Sequence, residues 1–276
     1  MKKTIKLFVL SLLLSGVFVA CNSNDDNPSN NDNKGAVNVQ ITDAPFPIDF
    51  VTQANVGVAK VELKNQNGEY VTVFEGNASY NMVNLTNGTT ETVTTNNVEI
   101  GTYTEAKVTL NDASVNLSDG NTFDLSTEAQ GSYNVTIDPP LVVEDNVDSD
   151  LLLDLDLNHS FTFSTNMFMN WITDVLDITG CTFDADFRAC DLDQSGKIEG
   201  SIKTSSDIAI ANALVEVNMD GEEVTTLSDS NGNFTFIGVK PGNYTVHVTT
   251  QNNGEVDVQN VSVSVSNTTS VTATLN

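Results

Sequence analysis

The sequence predicts an all-β protein, and two kinds of pattern carry this prediction. Apolar and polar side chains alternate with period two in many short runs, as in strands that bury one face. Turn-forming pairs such as Asn67-Gly68 and Asp119-Gly120 separate these runs. We therefore expect antiparallel, sandwich-like β-structure, and the length allows one or two domains.

The chain begins with a segment typical of a secretory leader. Three lysines precede an apolar run at 7–19, which is too short to span a bilayer. Ala20-Cys21 resembles a bacterial lipobox, although Phe18 departs from the usual Leu of that motif. The resemblance implies that residues 1–20 are removed and that Cys21 is acylated, with several acyl chains giving a durable membrane anchor. An ordinary cleaved signal peptide is the alternative.

Residues 21–35 form a polar tract that contains no large apolar side chain. Such a segment cannot bury enough surface to offset its chain entropy, so we expect a disordered acidic tether. Asp25 and Asp26 resemble the acidic export signal of Bacteroidetes-type lipoproteins, which implies a lipid-anchored protein on the outer face of the outer membrane. The alternative is that both belong to a solvated linker.

The charge excludes nucleic acid as a partner. The formal net charge is −26, and loss of the three leader lysines makes it −29 (−26 minus 3). Such a field repels phosphate backbones and anionic headgroups, so we expect membrane association only through the lipid anchor. The same acidity keeps a surface protein soluble and attracts divalent cations.

The first domain is predicted from its strands in order. Alternation at 37–41 gives the first strand, which ends at Asp43-Ala44-Pro45. A one-residue phase change near Ala59 and Lys60 indicates a bulged strand, which a hairpin at Asn67-Gly68 follows. We expect both central residues of that hairpin turn to take positive φ. A second hairpin is expected at Asp119-Gly120.

The segment at 151–163 carries a candidate metal site. Leu153, Leu155 and Leu157 point to one face of a strand, which leaves Asp154 and Asp156 on the other. Carboxylate rows suit Ca²⁺, so both are calcium candidates, although any half-exposed strand shows the same outer face. The following stretch at 167–178 has apolar residues at near-helical spacing and is expected to pack one short helix or turn onto the sheet.

Residues 35–190 resemble a widespread bacterial lipoprotein domain of unknown function. The similarity lies in the first strand, which ends in Thr-Asp-Ala-Pro at 42–45, and in the later Asp-Leu-Asp segment at 154–156. Because that family has no assigned activity, the resemblance implies a fold and no mechanism. Asp43 is a candidate functional residue, and a turn-former that caps its own backbone is the equal alternative.

Two further candidate sites lie near residue 190. Cys181 and Cys190 are the only cysteines besides Cys21, and a disulfide between them is plausible in an oxidising compartment. Asp191, Asp193 and Ser195 resemble the start of an EF-hand loop with Gly196 at its sixth position. The twelfth position is Ile202 instead of Glu, so a linker turn at 191–196 is favoured over a weak cation site.

Residues 197–276 resemble the carboxypeptidase regulatory-like domain, a prealbumin-like β-sandwich of about seven strands. The match lies in four segments, at 198–202, 211–217, 229–236 and 239–246. The turn chemistry of Asn231-Gly232 and Pro241-Gly242 agrees with it. The resemblance implies a module that spaces or presents neighbouring domains. Some relatives of this fold bind carbohydrate, usually through exposed tryptophans. The only tryptophan of this chain, Trp171, lies outside the segment.

Catalytic motifs are absent from the sequence. Its two histidines, His159 and His247, belong to no metal-binding or nucleophile motif, and no phosphate-binding glycine loop occurs. The sequence therefore predicts no enzyme and no cofactor beyond possible Ca²⁺. We expect a surface lipoprotein that acts as a binding, adhesion or scaffold component. Carbohydrate capture, a calcium-dependent adhesin and a hydrolase with a carboxylate pair are the alternatives.

Overall fold

A computed structural model of the chain describes residues 33–44, 50–165, 178–252 and 254–276. The predicted leader, Cys21, most of the tether and nearly all of the predicted helical stretch at 167–178 lie outside the described residues. Strands make up most of what is described, which confirms the all-β fold class. No helix among the described residues is long and apolar enough to cross a membrane.

The first part of the chain forms one large curved sheet and a small hairpin. Its strands are β1 (Lys34–Ala44), β2 (Val51–Lys64), β3 (Tyr70–Asn81), β4 (Glu91–Glu99), β5 (Gly101–Leu117), β6 (Thr122–Asp124), β7 (Gly131–Val143), β8 (Asp148–Asp156), β9 (Phe161–Thr165), β10 (Ile178–Phe183) and β11 (Phe187–Asp191). Three single turns of helix interrupt them, at Met82–Asn84 (3₁₀), Ser126–Ala129 (α1) and Leu157–Ser160 (α2).

The strand order of the large sheet is β3-β2-β5-β7-β11-β8-β1-β4, with β6 added beside β5. Asn96 on β4 donates to the carbonyl of Val73 on β3 at 3.0 Å, so the two ends of this order meet and enclose one core. Most pairs are antiparallel as predicted, but β1 lies parallel to β8 and β7 lies parallel to β11. Long connections between these strands permit the parallel pairing.

Local patterns gave several elements correctly. Val37, Val39 and Ile41 are fully buried on β1, and the register of β2 shifts between Val58 and Lys60, where the bulge was predicted. The hairpin at Asn67-Gly68 also forms. Its turn differs from the expected one, because only Gly68 takes positive φ (83°) while the side chain of Asn65 accepts two backbone N–H groups.

The second part is a sandwich of seven strands within the described residues. They are β12 (Gly196–Thr204), β13 (Leu214–Met219), β14 (Glu222–Leu227), β15 (Asn233–Val239), β16 (Gly242–Thr250), β17 (Gly254–Val263) and β18 (Thr268–Leu275). One sheet has the order β15-β12-β18 and the other β14-β13-β16-β17. Phe234 and Phe236 fill the core between them, as the alternation predicted.

The face of β8 that was expected to be exposed is covered. Leu152 and Asp154 point away from the core of the first domain, yet both are buried. The second domain lies on this face. It is here that the candidate site forms.

Candidate functional site

The two domains touch through backbone as well as side chains. Gly238 on β15 has a φ of 64°, and a Cβ added there would lie 2.5 Å from the Sγ atom of Cys190 on β11 and 3.0 Å from Leu152 on β8. A side chain at this position would therefore push the domains apart. Glycine allows β15 to approach the large sheet closely.

Arg188 on β11 connects the domains by hydrogen bonds. It pairs in register with Asp154 on β8, and its Nη2 atom donates to the Oδ2 atom of Asp154 at 2.7 Å. Its Nη1 atom donates to the carbonyl of Gly238 at 2.7 Å, and Nη2 also reaches the carbonyl of Ile237 at 3.3 Å. The planar guanidinium suits this role because it presents several donors in a fixed fork. One side chain thus joins a carboxylate of the first domain to β15 of the second.

A second bridge lies beside the first. The Nζ atom of Lys240, just after β15, contacts Asp138 on β7 at 2.8 Å and Asp220 between β13 and β14 at 2.9 Å. All three side chains are substantially exposed, so this bridge contributes little free energy by itself. It gives a second point at which the second domain contacts the first, in the middle of β7.

Asp43 lies at the buried end of β1, close to this junction. Its Oδ1 atom accepts the backbone N–H of Leu157 at 3.2 Å, so it caps a segment more than one hundred residues away. Burial raises the pKa of Asp43 well above its usual value, and the charge of Asp154 raises it further. The structure therefore brings together Asp43 and Asp154, two residues that the sequence singled out for separate reasons.

Asp156 is the third carboxylate of this group. It caps helix α2 by accepting the backbone N–H of His159 at 3.0 Å, and its Oδ2 atom lies 2.9 Å from Nδ1 of the same histidine. Burial raises the pKa of Asp156 above its usual value, although the contacts with His159 oppose the shift. His159 itself is half exposed and also lies 3.9 Å from Asp186.

Two open cavities flank Arg188 at the junction. One of about 320 Å³ is acidic, with Asp154, Asp156, Asp186, Glu222 and Glu223 among its lining residues. The other, of about 280 Å³, lies on the side of Lys240 and Asp138. Neither is lined by an aromatic residue other than Phe187. The acidic cavity suits a cationic group better than an anion or a large apolar ligand.

The EF-hand-like segment uses its oxygens within the fold. The carboxylate of Asp191 accepts the backbone N–H groups of Val142, Asp193 and Gln194, and Ser195 donates to the Asp191 carbonyl at 2.6 Å. The side chain of Asp193 accepts the N–H of Asp150 at 3.2 Å. These contacts are those of a turn. In the described residues no group of three or more His, Cys, Asp or Glu side chains is arranged to hold a metal, so calcium at this turn stays a prediction.

The predicted disulfide between Cys181 and Cys190 does not form. Both are free thiols. Cys181 lies on the hairpin strand β10 and packs against the core of the first domain, whereas Cys190 on β11 points toward Gly238 of the second. The short sequence separation was misleading because the chain passes from the hairpin into the large sheet between the two. Burial raises the pKa of Cys181 to about 11.

The role of Arg188 was not predicted from the sequence. It is the only arginine of the chain, and it lies in a segment rich in aspartate. A single arginine in so acidic a protein is a usable signal, because guanidinium groups are preferred for buried ion pairs. Which of the many carboxylates pairs with Arg188 could not be predicted, because this depends on the pairing of β8 with β11.

Comparisons with known proteins agree with the domain order. Residues 34–169 match the family described as a domain of unknown function, DUF4382, and residues 197–276 match the carboxypeptidase regulatory-like domain. No curated protein matches the chain.

Solved structures give only distant likenesses. The chain is similar to the Bacillus anthracis TIE protein at 10% identity and a TM-score of 0.26, over 86% of this chain and 39% of that one. It is similar to BcpA, the major pilin subunit of Bacillus cereus, at 11% identity and a TM-score of 0.22, over 88% and 70% of the two chains. The chain is also similar to a C-terminal fragment of the pilus adhesin SpaC from Lactobacillus rhamnosus GG, at 11% identity and a TM-score of 0.24. This match covers 86% of this chain and 96% of that fragment. These TM-scores are too low to carry an argument about function.

Proposed function

We propose that this chain, in which a DUF4382 domain is followed by a carboxypeptidase regulatory-like domain, is a non-enzymatic component of a bacterial cell surface. In this proposal Cys21 carries the lipid that anchors the protein in the outer membrane. The tether is residues 22–33, because Lys34 and Gly35 of the predicted 21–35 tract belong to strand β1. The two β-domains then form a support that holds a binding or adhesive surface away from the membrane.

The junction at Arg188 is the observation that carries the proposal. A display or scaffold protein has to keep its domains in a fixed relation, and a loose linker would not do this. Here four residues, 192–195, separate β11 from β12, and Arg188, Gly238 and Lys240 connect the domains beside that turn. The buried guanidinium of Arg188 favours one docking geometry, because any other geometry removes the carbonyls of Ile237 and Gly238 that accept its hydrogen bonds.

The anchor is tested by cell fractionation and by protease treatment of intact cells. We expect the native chain in the outer membrane fraction and degraded by external protease. Cys21→Ala should release the protein from the membrane, since acylation needs the thiol. Cys181→Ala is the matched control, because it removes another cysteine and should leave the protein anchored. Membrane retention of Cys21→Ala would contradict the anchor, and protection from protease would contradict surface exposure.

Carbohydrate binding is the first alternative and finds little support in the geometry. Carbohydrate-binding surfaces usually present exposed aromatic rings. Among the described residues Tyr70 is the only aromatic side chain that is both large and exposed, and Lys64 and Lys107 lie over its ring. A glycan array probed with the soluble chain starting at Asn22 decides the matter. Saturable binding that Tyr70→Ala abolishes would replace the support role with carbohydrate capture.

A hydrolase with a carboxylate pair is the second alternative, and Asp154 and Asp156 do converge on the acidic cavity. Asp156 nevertheless uses both oxygens for His159, and Asp154 binds Arg188 through Oδ2 while its Oδ1 is buried. A general acid or nucleophile needs an oxygen that faces the substrate. We therefore assign these carboxylates a structural role. Hydrolysis of a glycoside substrate that Asp154→Asn and Asp156→Asn both abolish would contradict this assignment.

A further inference from the structure

A small polar cavity lies at the domain junction beside the larger acidic one. Its volume is about 20 Å³, enough for one water molecule or one metal ion. Both domains contribute to its wall. Asp43 and Asp154 come from β1 and β8, Asn87 from the segment before β4, and Thr226 from β14 of the second domain.

The residues around this cavity carry an unusual set of unpaired atoms. Of the six buried side-chain atoms without a hydrogen-bond partner in the part of the chain that the structure describes, five belong to residues that line this cavity, namely Oδ2 of Asp43, Oδ1 of Asn87, Oδ1 of Asp154, Oγ1 of Thr226 and Nε of Arg188. Asp43 and Asp154 are only 4% and 7% exposed. Buried polar atoms are nearly always paired, so a cluster of such atoms around one cavity marks a place for a bound water or ion.

The chemistry of these atoms selects the ligand. Four of the five are oxygens, and two of them belong to carboxylates, which is a set that hard cations prefer. Asp154 uses Oδ2 for Arg188 and keeps Oδ1 free, while Asp43 uses Oδ1 for Leu157 and keeps Oδ2 free. With Arg188 counted, these groups carry a formal charge of −1, and Asp156 next to them makes the surroundings more negative. A cation would balance this charge.

We propose that this cavity binds one Ca²⁺ ion through Asp43, Asn87, Asp154 and Thr226, with water completing the coordination. Carboxylate and amide oxygens are typical calcium ligands. Arg188 is not a ligand, and its Nε atom would donate to a water on the ion. The ligand set contains only two acidic residues, which is why a count of acidic clusters does not reveal it.

The position of the site gives the ion a structural effect. Three ligands belong to the first domain and Thr226 to the second, so the ion binds only when the domains are docked. Any ligand that binds the docked state alone stabilises it by mass action. The acidic cavity shares Asp154 and Arg188 with this site. The inference rests on the cavity alone and does not depend on the anchor or on the support role.

Calorimetric titration of the soluble chain starting at Asn22 tests the site. The protein is stripped with a chelator and titrated with CaCl₂, and its melting temperature is measured with and without the ion. We expect one saturable site and a higher melting temperature with Ca²⁺. Asp43→Asn removes a charged ligand and should weaken binding by about tenfold or more. Thr226→Val keeps the side-chain shape and should weaken binding although it lies in the other domain.

Two controls separate this site from other sources of binding. Asp207→Asn changes an exposed carboxylate and should bind Ca²⁺ like the native chain. Asp193→Asn changes the EF-hand-like turn and should also bind normally. Absence of saturable binding up to about 1 mM Ca²⁺, the range of weak extracellular sites, would overturn the proposal. Unchanged binding in both Asp43→Asn and Thr226→Val would overturn it as well, and so would loss of binding in Asp193→Asn alone. Should Asp43→Asn fail to fold, Thr226→Val decides.

Discussion

At the scale of single residues, Arg188 determines how the two domains meet. Its charge is mostly buried, and removing one partner of a buried pair leaves the other charge without compensation. Arg188→Ala should therefore lower the free energy of unfolding by about 3–5 kcal/mol, since Asp154 stays buried. Urea denaturation of the soluble chain measures this change.

The matched control for Arg188 is a surface pair. Lys203 contacts Asp207, whose side chain is 79% exposed. Lys203→Ala should change the free energy of unfolding by less than about 1 kcal/mol, because solvent screens such a pair. Equal effects of the two substitutions would mean that Arg188 is an ordinary surface cation.

His247 provides a residue-scale prediction about pH. Its Nδ1 atom lies 2.6 Å from Asp257, and this hydrogen bond raises the pKa of His247 above its usual value, with Glu216 and Glu255 adding to the effect. A raised histidine pKa gives stability that is fully present below about pH 6.5 and is lost as pH rises through the folded value. His247 is 37% exposed, so the contribution stays below about 1 kcal/mol.

An NMR titration of the imidazole measures this pKa directly. The native value should lie above about 6.5, the usual value for histidine. Asp257→Asn should lower it toward that value and should reduce stability at pH 5 more than at pH 8. An unchanged pKa in Asp257→Asn would show that Asp257 is not the cause of the shift.

At the scale of elements, the contact of β15 with β8 and β11 depends on glycine. Gly238→Ala places a methyl group against Cys190 and Leu152, at a positive φ that L-residues disfavour. Gly221→Ala is the control, because Gly221 also has positive φ (100°) but nothing lies within 4 Å of an added Cβ. We expect Gly221→Ala to cost about 1–2 kcal/mol and Gly238→Ala to cost about 1–3 kcal/mol more. Equal losses of unfolding free energy would show that β15 does not press on the large sheet.

Some elements were predictable from the sequence and others were not. Strand β1, the bulge in β2 and the hairpins follow from alternation and turn chemistry, which act over a few residues. The burial of Leu152 and Asp154 does not, because the face that bears them is covered by a domain that begins more than forty residues later. The parallel pairing of β1 with β8 was not predicted either, because it joins segments more than one hundred residues apart in the sequence.

The candidate site was predictable in part. The sequence placed Asp43 at the end of the first strand, and Asp154 and Asp156 on the outer face of a later strand. Their meeting with Asn87 and Thr226 was not, because a threonine or an asparagine in a turn or strand carries no signal of its own. Thr226 joins the other three side chains around one cavity only because the two domains dock.

At the scale of the whole molecule, the central claim is that the two domains form one rigid support. A short turn, the hydrogen bonds of Arg188 to the carbonyls of Ile237 and Gly238, and a glycine contact all lie at the same junction, and each of them connects the two domains. Domains joined in this way should unfold together, since opening the junction breaks the hydrogen bonds of Arg188 to Ile237 and Gly238 and leaves a buried guanidinium with unpaired donors. Independent domains with a loose linker would unfold separately.

Differential scanning calorimetry of the soluble chain starting at Asn22 is the most direct test of this claim. We predict a single transition in which the calorimetric and van't Hoff enthalpies agree, as for one cooperative unit. We also predict that Arg188→Ala divides it into two transitions. Two separate transitions in the native chain, unaffected by Arg188→Ala, would contradict the account.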